Sequence, residues 1–336
     1  MAGYIIVGTN DNFDDRLERQ ILESAGHTFH YRPCLTPAEL AEASRDADVV
    51  LMDVVPLPGS VLRQRPRLKL IVLYSTGFDQ VDLGTATELG ILVCNAGEYC
   101  TREVADHTWM LILALWRRLI PFRHRVQQGT WRYDVAGPIR SLEGAVLGII
   151  GAGRIGTEVA RRAPAFGMQV IGYDPLVPPE QMRQRGIEPV GLAELLTRSD
   201  LISLHLPSQK DKKPVLDRQA FAQLKPGVFL INVSRADLID LSAVREALET
   251  ERVAGLALDV WTSEPPESVD PLFEHPRVLV TPHVGWYSTA SAERVRRRVA
   301  EETVRILSGL PPQYAVNHPP SPRLRVSNKL RPSESN

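Results

Sequence analysis

The stretch "LGIIGAGRIGTEVARR", residues 147–162, has an apolar run directly before a glycine-rich turn, and a helical pattern follows the turn. Gly151, Gly153 and Gly156 have the spacing G-x-G-x-x-G, and Asp174 lies eighteen residues beyond Gly156. A lone G-x-G-x-x-G is a weak signal. A strand before it, a helix after it and an acidic residue at the end of the next strand are together typical of a dinucleotide-binding βαβ unit. The stretch therefore predicts an α/β fold with a parallel sheet.

Each residue of this motif has a physical role in such a unit. Gly151 permits the tight turn, Gly153 lets the backbone approach a pyrophosphate, and Gly156 lets helix and strand pack closely. The helix N-terminus offers backbone N–H groups and a partial positive charge to the phosphates. Asp174 would accept hydrogen bonds from a ribose diol and would repel a 2′-phosphate, which favours NAD over NADP as the cofactor. Pro164 should kink or end the helix, well beyond its phosphate-binding end.

Strands alternate with helices on both sides of this stretch, which predicts two parallel α/β units. We expect a discontinuous first domain over residues 1–98 and 289–318, because a last helix can return to it, and a second domain over 99–288 that carries the dinucleotide motif. One continuous helix, 101–126, is expected to lead the chain from the first domain to the second. The segment 319–336 is rich in Pro, Ser and Arg and is expected to be loose.

Composition excludes several classes of protein. The chain has 336 residues, 43% hydrophobic and 24% charged, with a formal net charge of −1, so neither nucleic acid nor a membrane surface is expected as a partner. No apolar stretch approaches the roughly 20 residues that span a bilayer, and no secretory signal pattern is present. Three cysteines without C-x-x-C spacing fit a reducing, cytoplasmic environment. The isolated pair His27 and His30 has no third ligand nearby, so no metal site is expected.

Four motifs occur in order along the chain: "GAGRIG" from residue 151, "INVSRADLID" from 231, "ALDVWTSEPP" from 257 and "TPH" from 281. With them, the region from "STGFDQVD" to "TPHVGWYS" resembles the D-isomer-specific 2-hydroxyacid dehydrogenase family, which includes phosphoglycerate dehydrogenase. Within the family, "GFDQVD", "VCNAGEYCTREVAD" and "TPHVGWYS" are most similar to the branch around C-terminal-binding protein. The resemblance implies two Rossmann-like, doubly wound parallel-sheet domains, the first of them flavodoxin-like, with the active site in the cleft between them, and a homodimer.

The resemblance puts the family's catalytic residues at Arg235, Glu264 and His283. In an NAD(H)-dependent reduction of a 2-oxo acid, Arg235 would clamp the carboxylate and carbonyl oxygens through its planar guanidinium. Protonated His283 would donate to the carbonyl oxygen as the hydride arrives, and Glu264 would hold the imidazole and raise its pKa. Taken separately, each residue has a plainer interpretation: an arginine at a strand end, a loop carboxylate, and a histidine that only packs. The implied function is a D-2-hydroxyacid dehydrogenase that acts as a 2-oxo acid reductase.

The resemblance also implies binding roles for other residues, each taken separately. The resemblance implies that Asp259 meets the nicotinamide amide and that Arg154 reaches the pyrophosphate. The cofactor-binding positions that it implies are Thr76, Gly151, Gly153, Arg154, Ile155, Gly156, Asp174, His205, Leu206, Pro207, Val233, Ser234, Asp259 and Gly285. The substrate-binding positions that it implies are Ser75, Thr76, Gly77, Arg235 and Trp286.

The chain departs from the family pattern at several positions. Ala236 follows the catalytic arginine where Gly is usual, which would cost roughly 1 kcal/mol if positive φ were needed there. Asp237 adds negative charge at the same place, which disfavours very acidic substrates. Leu73 stands where C-terminal-binding protein has a substrate-binding arginine, which argues against dicarboxylic or phosphorylated 2-oxo acids. Trp286 suggests instead an apolar or thioether side chain on the substrate, although packing between domains is an equal alternative.

Two other functions stay open at this point. The first is an NAD(H)-sensing regulatory protein on the same fold, since C-terminal-binding protein acts in transcriptional co-repression with an intact catalytic triad. The second is oxidation of a non-carbon substrate such as phosphite, although the family member that does this has a lysine where this chain has Thr76.

Overall fold

A computed structural model describes residues 3–10, 14–208 and 213–324, which form two compact units. Unit 1 runs to Tyr99 and resumes at Ser288, and unit 2 comprises Cys100–Tyr287. The divisions expected from the sequence lie after residues 98 and 288.

Parallel strands alternate with helices through both units. The strands, in chain order, are β1 (Ile5–Gly8), β2 (Thr28–Tyr31), β3 (Val49–Met52), β4 (Leu70–Leu73), β5 (Leu92–Cys94), β6 (Val146–Ile150), β7 (Gln169–Tyr173), β8 (Glu188–Pro189), β9 (Leu201–Leu204), β10 (Val228–Asn232), β11 (Val253–Leu258) and β12 (Val278–Val280). The helices are α1 (Arg16–Ser24), α2 (Pro37–Ala43), α3 (Gly59–Leu62), α4 (Leu83–Glu88), α5 (Thr101–Trp116), α6 (Leu119–Gln127), α7 (Arg154–Arg162), α8 (Pro179–Gln184), α9 (Leu192–Arg198), α10 (Arg218–Gln223), α11 (Leu241–Glu249) and α12 (Thr289–Leu307).

Unit 1 is built on a five-stranded parallel sheet in the order β2-β1-β3-β4-β5. This is the flavodoxin-like order, and α12 returns to this unit after the second unit is complete. All four residues of β3 ("VVLM") and of β4 ("LIVL") are buried. Such continuous apolar strands are typical of a parallel sheet that is covered on both faces.

Unit 2 is built on a seven-stranded parallel sheet in the order β12-β11-β10-β9-β6-β7-β8. The strand order reverses between β6 and β9, and ligands of open α/β sheets bind outside the carboxyl ends of the strands at such a point. The glycine-rich turn follows β6 directly. The predicted fold class, two doubly wound parallel-sheet domains, is confirmed by these two sheets.

The helix expected over 101–126 is instead two helices, α5 and α6. Arg118, which lies between them, has φ 53°, in the left-handed region. The physical reason is Pro121, which the sequence analysis left out of account. In a continuous helix its ring would clash with the carbonyl of Arg117, and it has no N–H to donate. Pro164 acts as expected, because α7 ends at Arg162 and a short 3₁₀ turn follows.

The segment expected to be loose from residue 319 packs on unit 1 as far as the structure describes it, to residue 324. Leu324 is 5% exposed, and the Arg323 side chain donates hydrogen bonds to the carbonyl oxygens of Arg65 and Leu68. The Arg323 N–H also donates to the Gly90 carbonyl at 2.8 Å. One apolar and one cationic side chain therefore fix a segment whose composition suggested little to bury. Residues 325–336 lie outside the described residues.

Two kinds of feature are absent from the described residues. No helix among them is both long and apolar enough to cross a membrane. No group of three or more His, Cys, Asp or Glu side chains among them could hold a metal ion.

Candidate active site

The turn between β6 and α7 has the geometry that its glycines suggest. Gly151 has φ 102°, and a Cβ there would lie 2.7 Å from the backbone nitrogen of Leu206. A Cβ on Gly156 would lie 2.0 Å from the Gly151 carbonyl oxygen, well inside any allowed contact. The first glycine therefore meets the loop after β9, and the last one allows α7 to sit against the turn.

Beside the first turn of α7 there is open space. No heavy atom of the described chain lies within 4 Å of the position that a Cβ on Gly153 would take. Arg154, which is exposed, and Ile155, which is half-buried, begin the helix, and no side chain from the described ranges caps it. The N–H groups of this turn thus face a cradle that a phosphate group can fill, which fits a dinucleotide.

Asp174 follows β7 and ties that strand to the glycine-rich turn. Its Oδ2 accepts a hydrogen bond from the Ala152 N–H at 2.8 Å, and its Oδ1 accepts from the N–H groups of Leu176 (2.8 Å) and Val177 (3.0 Å). A carboxylate offers about four acceptor sites, so one stays available for a ribose hydroxyl. Arg185, which the sequence analysis did not single out, donates from Nη1 to the Ala152 carbonyl at 2.7 Å.

The segment His205, Leu206 and Pro207 follows β9 and lies against Gly151 through its backbone. The His205 imidazole is turned into the core, where its Nε2 pairs with Ser203 Oγ at 2.9 Å. Burial lowers the pKa of His205 to about 3, so the ring is neutral. The contribution of this residue to the predicted cofactor side is therefore its backbone.

The loop after β10 carries Val233, Ser234 and Arg235, and Asn232 shapes it. Asn232 is fully buried, its Nδ2 donates to the Arg235 carbonyl at 2.8 Å, and its Oδ1 accepts from the Ser234 N–H at 3.0 Å. Ser234 Oγ donates to the Leu206 carbonyl, and Arg235 Nη1 donates to the Ser234 carbonyl at 2.8 Å. No role for Asn232 was predicted, although a polar residue that closes the apolar run "VFLI" is a visible signal in the sequence.

His283 and Glu264, nineteen residues apart, form one hydrogen-bonded pair. His283 Nδ1 lies 2.5 Å from Glu264 Oε2, and the other carboxylate oxygen accepts from the Trp261 N–H at 2.7 Å. The backbone therefore fixes the carboxylate, and the carboxylate fixes the ring. This is the contact that the sequence analysis expected of the two residues.

The charges of this pair favour the imidazolium form. Burial alone would lower the pKa of His283, but the hydrogen bond and the charge of Glu264, together with the charge of Asp259, raise it above its ordinary value. Burial alone would raise the pKa of Glu264, but the hydrogen bond and charge of His283 hold it below its ordinary value. The positive charge of Arg235 lowers the pKa of both groups, so all three residues lie within electrostatic reach of one another.

The "TPHVG" turn that carries His283 is organised around the carboxylate of Asp259. Asp259 is 2% exposed; its Oδ1 accepts from Thr281 Oγ1 (2.6 Å) and the Val284 N–H (2.9 Å), and its Oδ2 accepts from the Gly285 N–H (2.8 Å). His283 has φ 53°, a left-handed conformation that costs free energy for a residue with a Cβ. The hydrogen bonds on either side of His283 hold the turn in this conformation.

His107, on α5, completes this network. Its Nε2 lies 3.0 Å from Thr281 Oγ1 and 3.3 Å from Asp259 Oδ1. Because the Thr281 hydroxyl donates to Asp259, it accepts from His107, which assigns the proton to Nε2. Burial alone would raise the pKa of Asp259, but these hydrogen bonds lower it. Nothing in the helical pattern around His107 distinguished it in the sequence.

In unit 1, the predicted substrate loop follows β4 and is held by its own side chains. Ser75 Oγ donates to the Gly77 carbonyl at 2.8 Å, and Thr76 Oγ1 donates to the Gly97 carbonyl at 2.8 Å. Asn95 Nδ2 donates to the Thr76 carbonyl at 2.7 Å. The loop is therefore fastened to the turn after β5.

The departures from the family pattern can be followed in the structure. Ala236 begins a short 3₁₀ helix and is not among the residues with positive φ, so the strain expected for a positive φ does not arise. Asp237 accepts a hydrogen bond from Ser208 Oγ at 3.1 Å. Leu73 is fully buried in the core of unit 1 and offers no polar group. Trp286 is half-buried, and its ring meets that of Tyr287 edge to face at 5.4 Å.

The fold and this site define the class as a two-unit dinucleotide-binding α/β protein. The profile of the family described as "D-isomer specific 2-hydroxyacid dehydrogenase, NAD binding domain" matches residues 109–285. The chain belongs to this family, and the match includes the glycine-rich turn, Arg235, Glu264 and His283.

Three similar proteins illustrate the family. D-3-phosphoglycerate dehydrogenase of Methanocaldococcus jannaschii is 36% identical over 315 residues, which are 93% of this chain and 59% of that protein. Glycerate dehydrogenase of Methylorubrum extorquens is 32% identical over 88% of this chain and 96% of that protein. The structure of D-lactate dehydrogenase from Aquifex aeolicus with NAD and lactic acid has a TM-score of 0.84 at 30% identity, covering 91% of this chain and 96% of that one. The chain spans about half to three fifths of the length of the phosphoglycerate dehydrogenases that it matches.

Proposed function

We propose that the protein is an NAD(H)-dependent D-2-hydroxyacid dehydrogenase that works as a 2-oxo acid reductase. The observation that carries the proposal is the 2.5 Å contact between His283 and Glu264 within electrostatic reach of Arg235. A histidine with a raised pKa beside a cation that can bind a carboxylate has the two properties that reduction of a 2-oxo acid needs.

The residues of unit 2 are suited to hold the cofactor. NAD(H), when bound, supplies the hydride in reduction and accepts it in the reverse reaction. The open space at Gly153 and the first N–H groups of α7 would take the pyrophosphate, and Asp174 would take the ribose diol. The carboxylate of Asp259 already accepts three hydrogen bonds, which leaves acceptor capacity for the nicotinamide amide.

The substrate is oriented and protonated by two side chains. Arg235 binds the substrate carboxylate through its guanidinium group, which the bond from Nη1 to the Ser234 carbonyl helps to orient. The resemblance to the family adds Ser75, Thr76, Gly77 and Trp286 to the proposed substrate-binding residues. His283 gives its Nε2 proton to the carbonyl oxygen as the C2 carbon is reduced, and becomes a neutral imidazole. Glu264 stabilises the imidazolium before that transfer and takes no proton itself.

We propose a substrate with an apolar or thioether side chain. Leu73 is fully buried and brings no cation, which supports this choice. The relatives named D-3-phosphoglycerate dehydrogenase favour a phosphorylated acid instead. A phosphate would need a second cation beside Arg235, because an unpaired buried charge is costly. As part of this proposal, the chain is placed in the branch of the family around C-terminal-binding protein, because "TPHVGWYS" resembles that branch.

We also propose that the protein is a homodimer through α5, α6 and the loop after α6. An apolar groove of about 520 Å³ is lined there by Leu115, Ile120 and Leu279 among others. Between the lining residues Gln128 and Val135 in the chain, Trp131 is 86% exposed and Tyr133 is 90% exposed. One chain thus supplies both a groove and protruding aromatic side chains, so a two-fold axis lets each copy cover the other.

The test is turnover of NADH with a panel of 2-oxo acids: glyoxylate, pyruvate, 4-methylthio-2-oxobutyrate, phenylpyruvate, 2-oxoglutarate and phosphohydroxypyruvate. We expect the apolar members to react and His283→Ala to lose roughly 10²-fold or more in kcat. His30→Ala, an exposed histidine of unit 1, is the matched control and should react like the unchanged protein.

Two alternatives have their own outcomes in this assay. Preference for 2-oxoglutarate or phosphohydroxypyruvate would keep the dehydrogenase and reject the argument from Leu73. If NADH binds and no acid reacts, an NAD(H)-sensing regulatory role takes the place of the enzyme.

A further inference from the structure

A cavity of about 410 Å³ lies on unit 1, and its lining includes none of the predicted catalytic or cofactor-binding residues. Its lining comes from α12 and the segment after it: Arg294, Arg297, Arg298, Glu301, Glu302, Arg305 and Gln313. Four of these seven side chains are guanidinium groups and two are carboxyl groups. The arginines recur at helical spacing, so they share one face of α12. Like charges gathered in one concave surface repel one another and create a positive potential in it.

The carboxyl group of Glu302 is buried at this cavity and is held by the backbone of the segment after α12. Its side chain is 3% exposed, and its Oε1 accepts hydrogen bonds from the N–H groups of Gln313 (2.5 Å) and Tyr314 (3.4 Å). Its Oε2 is buried without a hydrogen-bond partner among the described residues. Burial raises the pKa of Glu302 in spite of those two N–H groups and of the nearby charges of Arg305 and Arg298. Glu301 is therefore the one exposed carboxyl group among the seven lining residues.

The walls of the cavity are bonded to the turn that holds the predicted substrate loop. Arg298 Nη1 donates to the Ala96 carbonyl at 3.0 Å, and Arg294 Nε donates to the Tyr99 carbonyl at 2.9 Å. These two carbonyls flank Gly97. The Arg298 guanidinium also lies 5.0 Å from the centre of the Tyr314 ring, and a Cβ on Gly97 would lie 2.4 Å from that ring.

The same turn continues to Thr76. The Asn95 N–H donates to the Tyr314 carbonyl at 3.0 Å, and Asn95 Nδ2 donates to the Thr76 carbonyl at 2.7 Å. Thr76 Oγ1 in turn donates to the Gly97 carbonyl. Arg298 and Tyr314 are therefore linked to Thr76 through a few direct contacts inside one unit.

We propose that this cavity binds a small phosphate-bearing anion, and that the bound anion alters substrate affinity through the Ala96–Tyr99 turn. The second part rests on the proposed function, because it requires Thr76 to contact substrate; the first part does not.

The ligand class follows from the donors. Guanidinium groups present planar pairs of N–H donors that match phosphate oxygens two at a time. Several arginines around one space favour a group with more than one negative charge. A cavity of about 410 Å³ is of a size that small ligands occupy.

The binding test is calorimetric titration of the whole protein with inorganic pyrophosphate, with NADH present to fill the dinucleotide site. The variant is Arg297→Glu, because Arg297 is exposed on α12 and pairs with Glu293 at 3.0 Å. The control is Arg45→Glu, which makes the same charge change at an exposed arginine that pairs with Glu42 outside the cavity. We expect one site per chain, with roughly tenfold weaker binding in Arg297→Glu and none of this loss in Arg45→Glu.

Two results would overturn the site. One is no binding by the unchanged protein, and the other is an equal loss of affinity in both variants, which would indicate only a general effect of net charge. If NADH itself fails to bind, the titration is repeated without it. Failure of the proposed function is thereby separated from failure of the anion site.

The coupling is tested by measuring KM for the preferred 2-oxo acid with and without pyrophosphate. We expect a change of about fivefold or more in the unchanged protein, and a much smaller one in Arg297→Glu. A KM change of equal size in the two proteins would mean direct competition with substrate and would reject the coupling. So would binding that leaves KM unchanged.

Discussion

At the scale of single residues, His283 is distinguished by its backbone as well as by its side chain. Its left-handed φ of 53° is held by the buried carboxylate of Asp259, which binds residues on both sides of it in the turn. Its imidazole is held separately by Glu264. The two carboxylates therefore have separate roles: Asp259 fixes the position of the imidazole ring, and Glu264 stabilises its positive charge.

The first prediction concerns the pH dependence of reduction. Reduction needs the protonated imidazole, so kcat/KM should be constant at low pH and fall as pH rises through the raised pKa of His283. Glu264→Gln removes the charge that raises this pKa, so the fall should begin at lower pH and the plateau should drop by about tenfold or more.

The measurement is a pH–rate profile of kcat/KM for both proteins. Glu267→Gln, an exposed glutamate of the same loop, is the control and should keep the original profile. An unshifted fall in Glu264→Gln would contradict the assigned role of Glu264.

The second prediction concerns Thr281, whose hydroxyl lies between Asp259 and His107. Thr281→Val keeps the shape but removes the 2.6 Å hydrogen bond to a carboxylate that is 2% exposed. We expect the free energy of unfolding to fall by about 1–3 kcal/mol, because a buried acceptor loses a donor. Urea denaturation measures it. Thr262→Val, at an exposed position, should change little, and an equal effect of both substitutions would refute the network.

At the scale of elements, two glycines of the G-x-G-x-x-G motif in the β6–α7 turn have different roles, one in packing and one in leaving space for a ligand. Gly156 is needed for packing, since a Cβ there would lie 2.0 Å from a carbonyl oxygen of the turn. Gly153 faces open space, so the absence of a side chain there affects only the binding of a ligand that occupies this space. Stability should therefore depend on Gly156, and a loss of binding without a loss of stability is expected only at Gly153.

The third prediction uses this pair of glycines as mutual controls. Gly153→Ala should leave the melting temperature nearly unchanged and weaken NADH binding, because the methyl group enters the space assigned to the pyrophosphate. Gly156→Ala should lower stability by at least about 1–3 kcal/mol and weaken binding as well. Thermal melting and NADH fluorescence titration measure the two effects. Gly153→Ala with full NADH affinity would place the pyrophosphate elsewhere.

At the scale of the whole molecule, five of the nine large apolar side chains that are exposed in the described part of unit 2 lie in α6 and the loop after it. Leu119, Ile120, Val126, Trp131 and Tyr133 are all exposed there. Monomeric proteins rarely leave such a patch in water. The patch supports the proposal that a second copy of the chain covers this surface.

The fourth prediction is that removing two aromatic side chains weakens the dimer. Trp131→Ser with Tyr133→Ser should raise the dimer Kd by roughly a thousandfold or more, because buried aromatic anchors contribute about 2 kcal/mol or more each. Sedimentation velocity over a range of concentrations measures it. Leu176→Ser, equally exposed at 86% in the same unit, should have no effect. A monomer at every concentration of the unchanged protein would contradict the proposal.

The fold class, the NAD-binding family and the glycine-rich turn could be predicted from the sequence alone, because strand and helix periodicity and the G-x-G-x-x-G spacing are properties of neighbouring residues. Other features depend on tertiary contacts. His107 pairs with Thr281 across 174 residues, and the chain packs on unit 1 as far as Leu324. Four arginines of α12 line one cavity with a residue from the segment that follows. These contacts join residues far apart in the chain or in separate elements, and their free energy depends on burial and hydrogen bonding that no local pattern contains.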